Sequence, residues 1–347
     1  MWRISLRDLQ YRLRRFLIAI AVTALVFGIA VAIDGIKDTL QREPANLVAS
    51  FRADRWIVRA GSAGPFTTTA LLPESAVQAL RATPGVHSAQ PLVTGRSTVL
   101  TGTRNNVNLV GYDLRQGGPA IVEGRVPRTP REAVVGGGLN VRVGDELRTT
   151  SGQFQVVGKV QGMRYNGGAP TVFLTVAGAQ QASVAGQPLI MGVAVKGQPQ
   201  ALPPGLSDAS NATSVGDLRL TIKNATKTID FVALLSWLIA AGVIGAIVYL
   251  TAIERTRDFA VLRATGSPDR RIVGALMIQS LIVAVIAAAL SVPLALVLRN
   301  GMPMPVTLSG SSVVRILLVG VVVGVVASLA AVRRALTTDP ALAFGGA

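Results

Sequence analysis

The sequence predicts an α-helical membrane protein with four transmembrane helices and an α/β extracytoplasmic domain inserted between the first two on a helical stalk. Three observations point there. Half of the 347 residues are hydrophobic and only 15% are charged, with a mean hydropathy of +0.48, a balance typical of membrane chains rather than soluble domains. Four uncharged apolar runs occur, Phe16 to Ile33, Phe231 to Ile253, Ile272 to Leu298 and Ile316 to Val332, each close to the ~20 residues a helix needs to cross a bilayer core. Arginines gather in the short segments beside those runs.

The first segment, residues 1–15, holds five arginines and leads into transmembrane helix 1 over 16–33. A cleaved signal peptide is the rival reading, since a small-residue pattern Ala30-Val31-Ala32 closes the run. The run is longer than the usual apolar region of ~7–15 residues, so a retained anchor is expected.

Residues 34–229 form the inserted domain with its stalk helices. Between Pro65 and Ser214 the composition turns to Gly, Pro, Thr, Val and scattered charge, as in a soluble α/β or β-rich module. Strands are expected at Arg55 to Arg59, Ser97 to Thr101, Val107 to Tyr112, Phe154 to Val160, Thr171 to Val176 and Ile190 to Val195. A short helix fits Glu74 to Ala82, preceded by Pro73 and ended by Pro84-Gly85. The Gly-Gly-Gly at 136–138 lacks the Lys-Ser or Lys-Thr of a phosphate loop and reads as a flexible turn. His87, the one histidine, reads as a surface loop residue after a Pro-Gly turn.

Two heptad seams flank the domain. Ile29, Ile33, Ile36 and Leu40 repeat at spacings of 4, 3, 4 until Pro44, expected to stop the helix. Val215, Leu218, Ile222, Ala225, Ile229 and Val232 repeat at 3, 4, 3, 4, 3. Together they predict a paired helical stalk joining the first two spans to the domain. The same pattern also fits two amphipathic helices packed on the domain's own core.

Transmembrane helix 2 covers 230–253, and a cytoplasmic segment 254–271 separates it from helix 3 over 272–298. That segment reads ERTRDFAVLRATGSPDRR and carries five arginines and three acids. Glu254 with Arg257, and Arg255 with Asp258, are three apart and pair along a solvated helix face. Phe259, Val261 and Leu262 make a small apolar knob. Gly266 then stops the helix, Ser267 caps the next, Pro268 takes its first position, and Asp269 complements its dipole. An apolar knob ringed by charge suits docking in a groove of another protein; a loop that only sets membrane orientation needs the arginines but neither Phe259 nor Leu262.

A short external loop, 299–312, holds one arginine, transmembrane helix 4 covers 313–332, and a tail, 333–347, opens with Arg333-Arg334. Basic residues in short loops mark the cytoplasmic side, so both termini and 254–271 are expected in the cytoplasm of a multi-pass cell-membrane protein. The long 34–229 segment is also basic, but long loops cross largely regardless of charge.

Composition excludes several functions. With no cysteine and one histidine there is no disulfide, thiolate nucleophile, zinc-thiolate site or catalytic triad to assemble. Most of the excess in the net charge of +16 can be placed at membrane edges rather than assigned to nucleic-acid binding. No Gly-x-x-x-x-Gly-Lys-Ser/Thr occurs, so the chain has no P-loop with which to hydrolyse ATP.

The stretch ERTRDFAVLRATGSPDRRI resembles the signature that follows the second of four spans in the macrolide-exporter (MacB)/FtsX-like ABC permeases. The tail Arg333-Arg334-Ala335 with Asp339-Pro340-Ala341-Leu342 is similar to that family's closing pattern, and Leu80 to Val86 looks like its periplasmic core domain. Asp258 stands where glutamate is common, Gln279 where the third span often has glutamate, and Pro293 in a region usually rich in glycine. Gln279 is expected to make an interhelical hydrogen bond.

The resemblance implies a coupling helix against a cytoplasmic ABC ATPase, formed by Glu254, Arg255, Arg257, Asp258, Phe259, Val261, Leu262, Arg263 and Gly266. It also implies two ATPase copies, a second permease expected to be a copy of this chain, and ATP with magnesium on the ATPase and no cofactor here. The stalk seam, Ile33, Ile36, Leu40, Val215, Leu218, Ile222, Ala225 and Ile229, would carry motion outward to export or extract a lipid, lipopeptide, drug or peptide. A membrane-fusion adaptor would be a further partner. The alternatives are an ATPase-driven regulator of a cell-envelope hydrolase and a membrane-anchored sensor or binding protein without ATPase.

Overall fold

The computed structural model describes residues 13–100, 104–254 and 269–299, with 306, 310, 314, 318–322, 325 and 326. It divides into two compact units, Met1–Thr39 with Lys227–Ala347, and Leu40–Thr226. The first helix, α1, runs Leu13–Ser50 and passes through Pro44. The expected stop at Pro44 is therefore corrected. Proline removes one helical donor and crowds the preceding turn, and the lost hydrogen bond is outweighed by burial on either side, at Leu40 and at Leu47, Val48 and Phe51.

The Leu40–Thr226 unit is built on β1 (Arg55–Arg59), β2 (Leu72–Pro73), α2 (Ser75–Arg81), β3 (Val86–Val99), β4 (Asn105–Gly111), β5 (Ile121–Gly124) and β6 (Glu132–Val135). It continues with β7 (Glu146–Thr149), β8 (Gly152–Val160), β9 (Arg164–Tyr165), β10 (Ala169–Leu174), α3 (Val176–Ser183), β11 (Leu189–Ile190), β12 (Gly192–Gly197) and β13 (Leu206–Ala209). The main sheet runs β13-β1-β12-β3-β4-β10-β6-β8-β5. β4 with β10, and β6 with β8, are parallel. β7 pairs with β8 and, through Thr149 opposite Val99, with the end of β3. The ring β3-β4-β10-β6-β8-β7 thus closes into a small barrel, while the first half of β3 stays in the open sheet beside β12. A separate two-stranded sheet joins β11 to β2.

Alternation along the strands sorts the core into two layers, because successive side chains leave opposite faces. Val107 and Leu109 of β4, Val172 and Leu174 of β10, and Ile57 of β1 enter one layer, with Val77 and Leu80 of α2 and Ala179 of α3 packed into it. Val110, Phe173, Trp56 and Val58 enter the other, which the end of α1 covers with Leu47, Val48 and Phe51. Being buried on both faces, these strands read as nearly continuous apolar runs.

The expected strand Thr171 to Val176 ends early. Thr175 leaves the ladder, and its side chain accepts from Gly178 N at 3.1 Å, capping α3. The expected strand Ser97 to Thr101 is only the end of β3, and His87 sits exposed near the start of that strand rather than in a loop. The Gly-Gly-Gly turn follows β6 and is tied down, Gly136 N donating to Thr171 O at 2.7 Å and Gly137 N to Gly162 O at 2.8 Å.

After β13, Ser210 caps α4 (Asn211–Leu220) by accepting from Thr213 N. A turn at Thr221 and Ile222 precedes α5 (Lys223–Glu254), and α6 spans Asp269–Leu298. The second seam, expected as one helix, is therefore two. Three described helices are long and apolar enough to cross a membrane: Ile20–Ser50, Lys223–Ala246 and Leu281–Leu298. The helix expected at 313–332 lies largely outside the described residues; those described within it, 314, 318–322, 325 and 326, are helical. α5 leaves Phe231, Leu234, Leu235, Leu238 and Ile239 exposed, the reverse of a soluble helix and the pattern of a lipid-facing one.

Candidate functional site

Of the expected coupling elbow, Glu254 is the last residue of α5. Arg255, Arg257, Asp258, Phe259, Val261, Leu262, Arg263 and Gly266 lie outside the described residues, as do Ser267 and Pro268, and Asp269 opens α6.

In the unit formed by Met1–Thr39 and Lys227–Ala347, α1 and α5 are matched side by side. Phe27 and Trp237 meet with ring centroids 5.3 Å apart, tilted by 54°, a contact of about 0.5–1.5 kcal/mol beyond the area it buries. Further along, Lys37 Nζ donates to Asp230 Oδ1. With side chains 27% and 53% exposed, such a pair contributes at most about 1 kcal/mol, so its main effect is to set the register of the two helices. α6 joins through Ala295, buried with Val31, Ala32 and the flank of Trp237.

In the Leu40–Thr226 unit, α4 is fastened to the domain at several points. Trp56 Nε1 donates to Asn211 Oδ1 at 2.8 Å, and Asn211 Nδ2 donates to Ala53 O at 2.9 Å. Asp217, 2% exposed, accepts the backbone N–H of Phe66 at 3.0 Å and of Thr67 at 3.1 Å, together with the Thr67 hydroxyl. Hydrogen bonds to a charged acceptor are each worth about 1.5–3 kcal/mol. Glycine is required at 64 for the loop to come this close, since a Cβ there would lie 2.6 Å from Asp217 Cβ. Arg219 Nη2 donates to Gln41 O at 3.0 Å, tying α4 to α1.

Below this joint Phe51 anchors an aromatic cluster, its ring 4.8 Å from Tyr112 and 5.5 Å from Trp56, both edge-on. Burial, reinforced by neighbouring Asp113, pushes the Tyr112 phenol up to about 12, so it stays neutral.

Beside the joint lies a cleft of about 200 Å³. Phe66, Met191 and Leu218 line it together with the polar residues Thr67, Thr94 and Asn108, all but Thr67 buried, and with the exposed Arg96. In the β3–β4 register Thr94 faces Val110 and Arg96 faces Asn108. Leu92, Thr94 and Arg96 share one face at period 2, passing from buried core to exposed cation. Asn108 Nδ2 donates to Tyr165 O and to Ala169 O, each at 3.0 Å, holding the β9–β10 hairpin against the cleft. Burial raises the Tyr165 phenol, with Arg96 opposing the shift.

The seam residues divide. Leu40, Leu218 and Ile222 are buried; Ile33, Ile36, Val215 and Ile229 are half-buried, and Ala225 is exposed. The buried side of α4 is Ser214, Asp217 and Leu218, so a heptad reading weighted to apolar positions misses its most connected residue. The one signal for Asp217 was an acid between two seam positions. Among the described residues no group of three His, Asp or Glu side chains is placed to hold a metal ion.

The chain matches two families: the MacB-like periplasmic core domain over residues 16–212 and the FtsX-like permease C-terminal domain over 231–340. It is 38% identical to uncharacterized ABC transporter permeases of Mycobacterium bovis and Mycobacterium tuberculosis, over 99% of each chain. A putative hemin transport system permease protein of Staphylococcus haemolyticus is 30% identical over 32% of both chains. Among solved structures, the periplasmic region of MacB from Actinobacillus actinomycetemcomitans is 13% identical, covering 51% of this chain and 96% of that one, with a TM-score of 0.36.

Proposed function

Because the chain belongs to the MacB/FtsX-like family of ABC transporter permeases, we propose that it transmits the motion of a separate cytoplasmic ATPase to its external domain, so as to export or extract a lipophilic or amphiphilic substrate. The observation that carries this reading is the continuity of α1. One helix holds the uncharged run 16–33 and ends with Leu47, Val48 and Phe51 inside the core of the Leu40–Thr226 unit. A packed helix transmits displacement where a flexible linker dissipates it.

Force enters at the elbow, where Phe259 and Leu262 dock on the ATPase and the flanking charges orient them. It passes along α5 to the turn at Thr221 and Ile222, where α4 is clamped by Asp217. Two permeases, taken as identical copies, assemble with two ATPases that bind ATP and magnesium. Both termini and the elbow lie in the cytoplasm, and the domain lies outside the cell membrane.

The test is co-purification of the full chain with an ATPase encoded beside it, followed by ATP turnover in nanodiscs. The double variant Phe259→Ala, Leu262→Ala is expected to lose permease-stimulated turnover and ATPase association while remaining folded. Unchanged association and turnover would refute the docking role. Movement of a lipophilic substrate in liposomes separates a transporter from a regulator stimulated only by an envelope enzyme.

A further inference from the structure

We propose that the cleft edged by Arg96 binds the oxyanion of a small hydroxylated molecule, the phosphate or carboxylate of a short polyol, through donors of Thr94, Arg96 and Tyr165. The donors follow from a gap in the sheet. β12 holds β3 as far as Leu92, whose carbonyl accepts Met191 N at 2.9 Å, and Thr150, just past β7, takes over at Thr98, whose carbonyl accepts Thr150 N at 2.9 Å. Between them no strand covers the edge of β3 that faces away from β4. Backbone groups along a strand alternate between its two edges. On the open edge Thr94 N donates to Met191 Sδ at 3.4 Å, a weak acceptor, and Thr98 N to Thr150 Oγ1 at 3.2 Å. Arg96 N–H, midway between them, faces the same edge and has no acceptor among the described residues. Gly95 lines the cleft without a side chain, so the backbone of this stretch is open to it.

Two side chains that line the cleft also lack partners. The Arg96 guanidinium makes no ion pair or hydrogen bond among the described residues. Tyr165 is 5% exposed, yet its hydroxyl meets no acceptor among the described residues, and burial keeps it protonated. A buried phenol ordinarily finds a partner. The Thr94 hydroxyl donates only at 3.4 Å, to Phe66 O. No Asp or Glu lines the cleft. A guanidinium, hydroxyls and a free amide without a carboxylate favour an anion, and a guanidinium meets phosphate or carboxylate through two parallel hydrogen bonds.

Size narrows the ligand. A volume of about 200 Å³ has room for about six or seven waters at ~30 Å³ each and falls below the ~300–1,000 Å³ of pockets that enclose a drug-sized molecule. A bare oxyanion leaves much of that space wet. Thr67, Asn166 and Thr221 line the cleft as well and offer polar atoms to the hydroxyls of a short polyol. A hydrocarbon chain finds little surface, since Phe66, Met191 and Leu218 are buried. Binding bears on the joint, because Thr67 belongs to the loop that Asp217 holds and Thr221 to the turn after α4. The inference rests on the permease reading only for what binding does, not for the binding itself.

The test is equilibrium dialysis of the full chain, in phosphatidylcholine nanodiscs, against radiolabelled glycerol 3-phosphate. One saturable site per chain is expected, with amide exchange slowed around Arg96 and Tyr165. Glycerol and inorganic phosphate should compete about tenfold or more weakly than unlabelled glycerol 3-phosphate. Gluconate, dialysed in the same way, reports whether carboxylate or phosphate is preferred, and either preference supports the site. Arg96→Gln is expected to weaken binding about tenfold and Tyr165→Phe about threefold. Neither group removed has a partner in the protein, so both variants should keep the wild-type unfolding temperature. Absence of saturable binding by both probes, competition by glycerol or inorganic phosphate equal to that by glycerol 3-phosphate, or unchanged affinity in either variant overturns the proposal. With phosphatidylglycerol in the disc, a fall in glycerol 3-phosphate occupancy identifies a lipid headgroup as the source, and persistence identifies a free solute; either supports the site. No ATPase is needed, so failure of ATPase association would count against the permease reading and leave this result standing.

Discussion

Asp217 of α4 accepts the backbone N–H of Phe66 at 3.0 Å from within the protein interior, joining the last helix before α5 to the loop that walls the cleft. Replacing Asp217 with alanine strands three donors, the amides of Phe66 and Thr67 and the Thr67 hydroxyl. Unpaired buried donors cost about 1–3 kcal/mol each, partly recovered by water, so a net loss of about 2 kcal/mol is expected. Amide exchange at Phe66 and Thr67 in the full chain should then quicken about 30-fold, with β8 and β10 unaffected. Equal protection in the variant would show that the loop is held by something else.

Phe51 closes the end of α1 onto the aromatic cluster with Tyr112 and Trp56. Phe51→Ala should destabilise the Leu40–Thr226 unit by about 3–5 kcal/mol. Val122→Ala, on the exposed edge strand β5, should change it by less than about 0.5 kcal/mol. Near-UV circular dichroism followed through thermal unfolding separates the two.

Glu132 binds Arg125 through both carboxylate oxygens, at 2.7 and 2.9 Å, and accepts the Arg128 N–H at 2.7 Å. The Arg125 hydrogen bonds, then the Arg128 amide, hold its carboxyl at about 2, down from 4.5. Since the folded value is the lower one, the stabilisation is fully present above pH 4.5 and is lost as pH falls toward 2. Exchange of the Arg128 amide, corrected for its intrinsic pH dependence, should accelerate over that interval, and Glu132→Gln should remove the dependence. A transition centred near 4.5 would contradict the assignment.

Gly28 faces Leu294 of α6, and a Cβ at 28 would lie 3.0 Å from Leu294 Cδ2 and 3.2 Å from its Cγ. Small residues allow apolar helices to approach closely in a membrane. Gly28→Leu is expected to lower thermal stability in detergent, by the about 1–3 kcal/mol typical of overpacking. Adding Leu294→Ala should recover most of the loss, measured as the monodisperse fraction after heating. No recovery would place the strain elsewhere.

Legibility followed the length scale of the signal. Arg55–Arg59 forms β1 with the bounds its alternation indicated, and the uncharged runs near 231–253 and 272–298 fall within α5 and α6. The first half of β3 was missed because His87, Ser88 and Gln90 break the apolar pattern, and β12 supplies the pairing from a hundred residues away. Pro44 misled because local propensity opposes the helix while tertiary burial at Leu47, Val48 and Phe51 outweighs it. The second seam was read as one helix because apolar spacing continues through Thr221 and Ile222, where the backbone turns.

By itself the sequence determined the membrane class and the inserted domain, because bilayer thickness, flanking charge and a shift in composition are properties of contiguous residues. Only the tertiary structure decided the closed barrel, the Asp217 clamp and the cleft edged by Arg96. Those depend on strand register and on partners up to 151 residues apart, and no local pattern encodes which distant donor a buried carboxylate will meet.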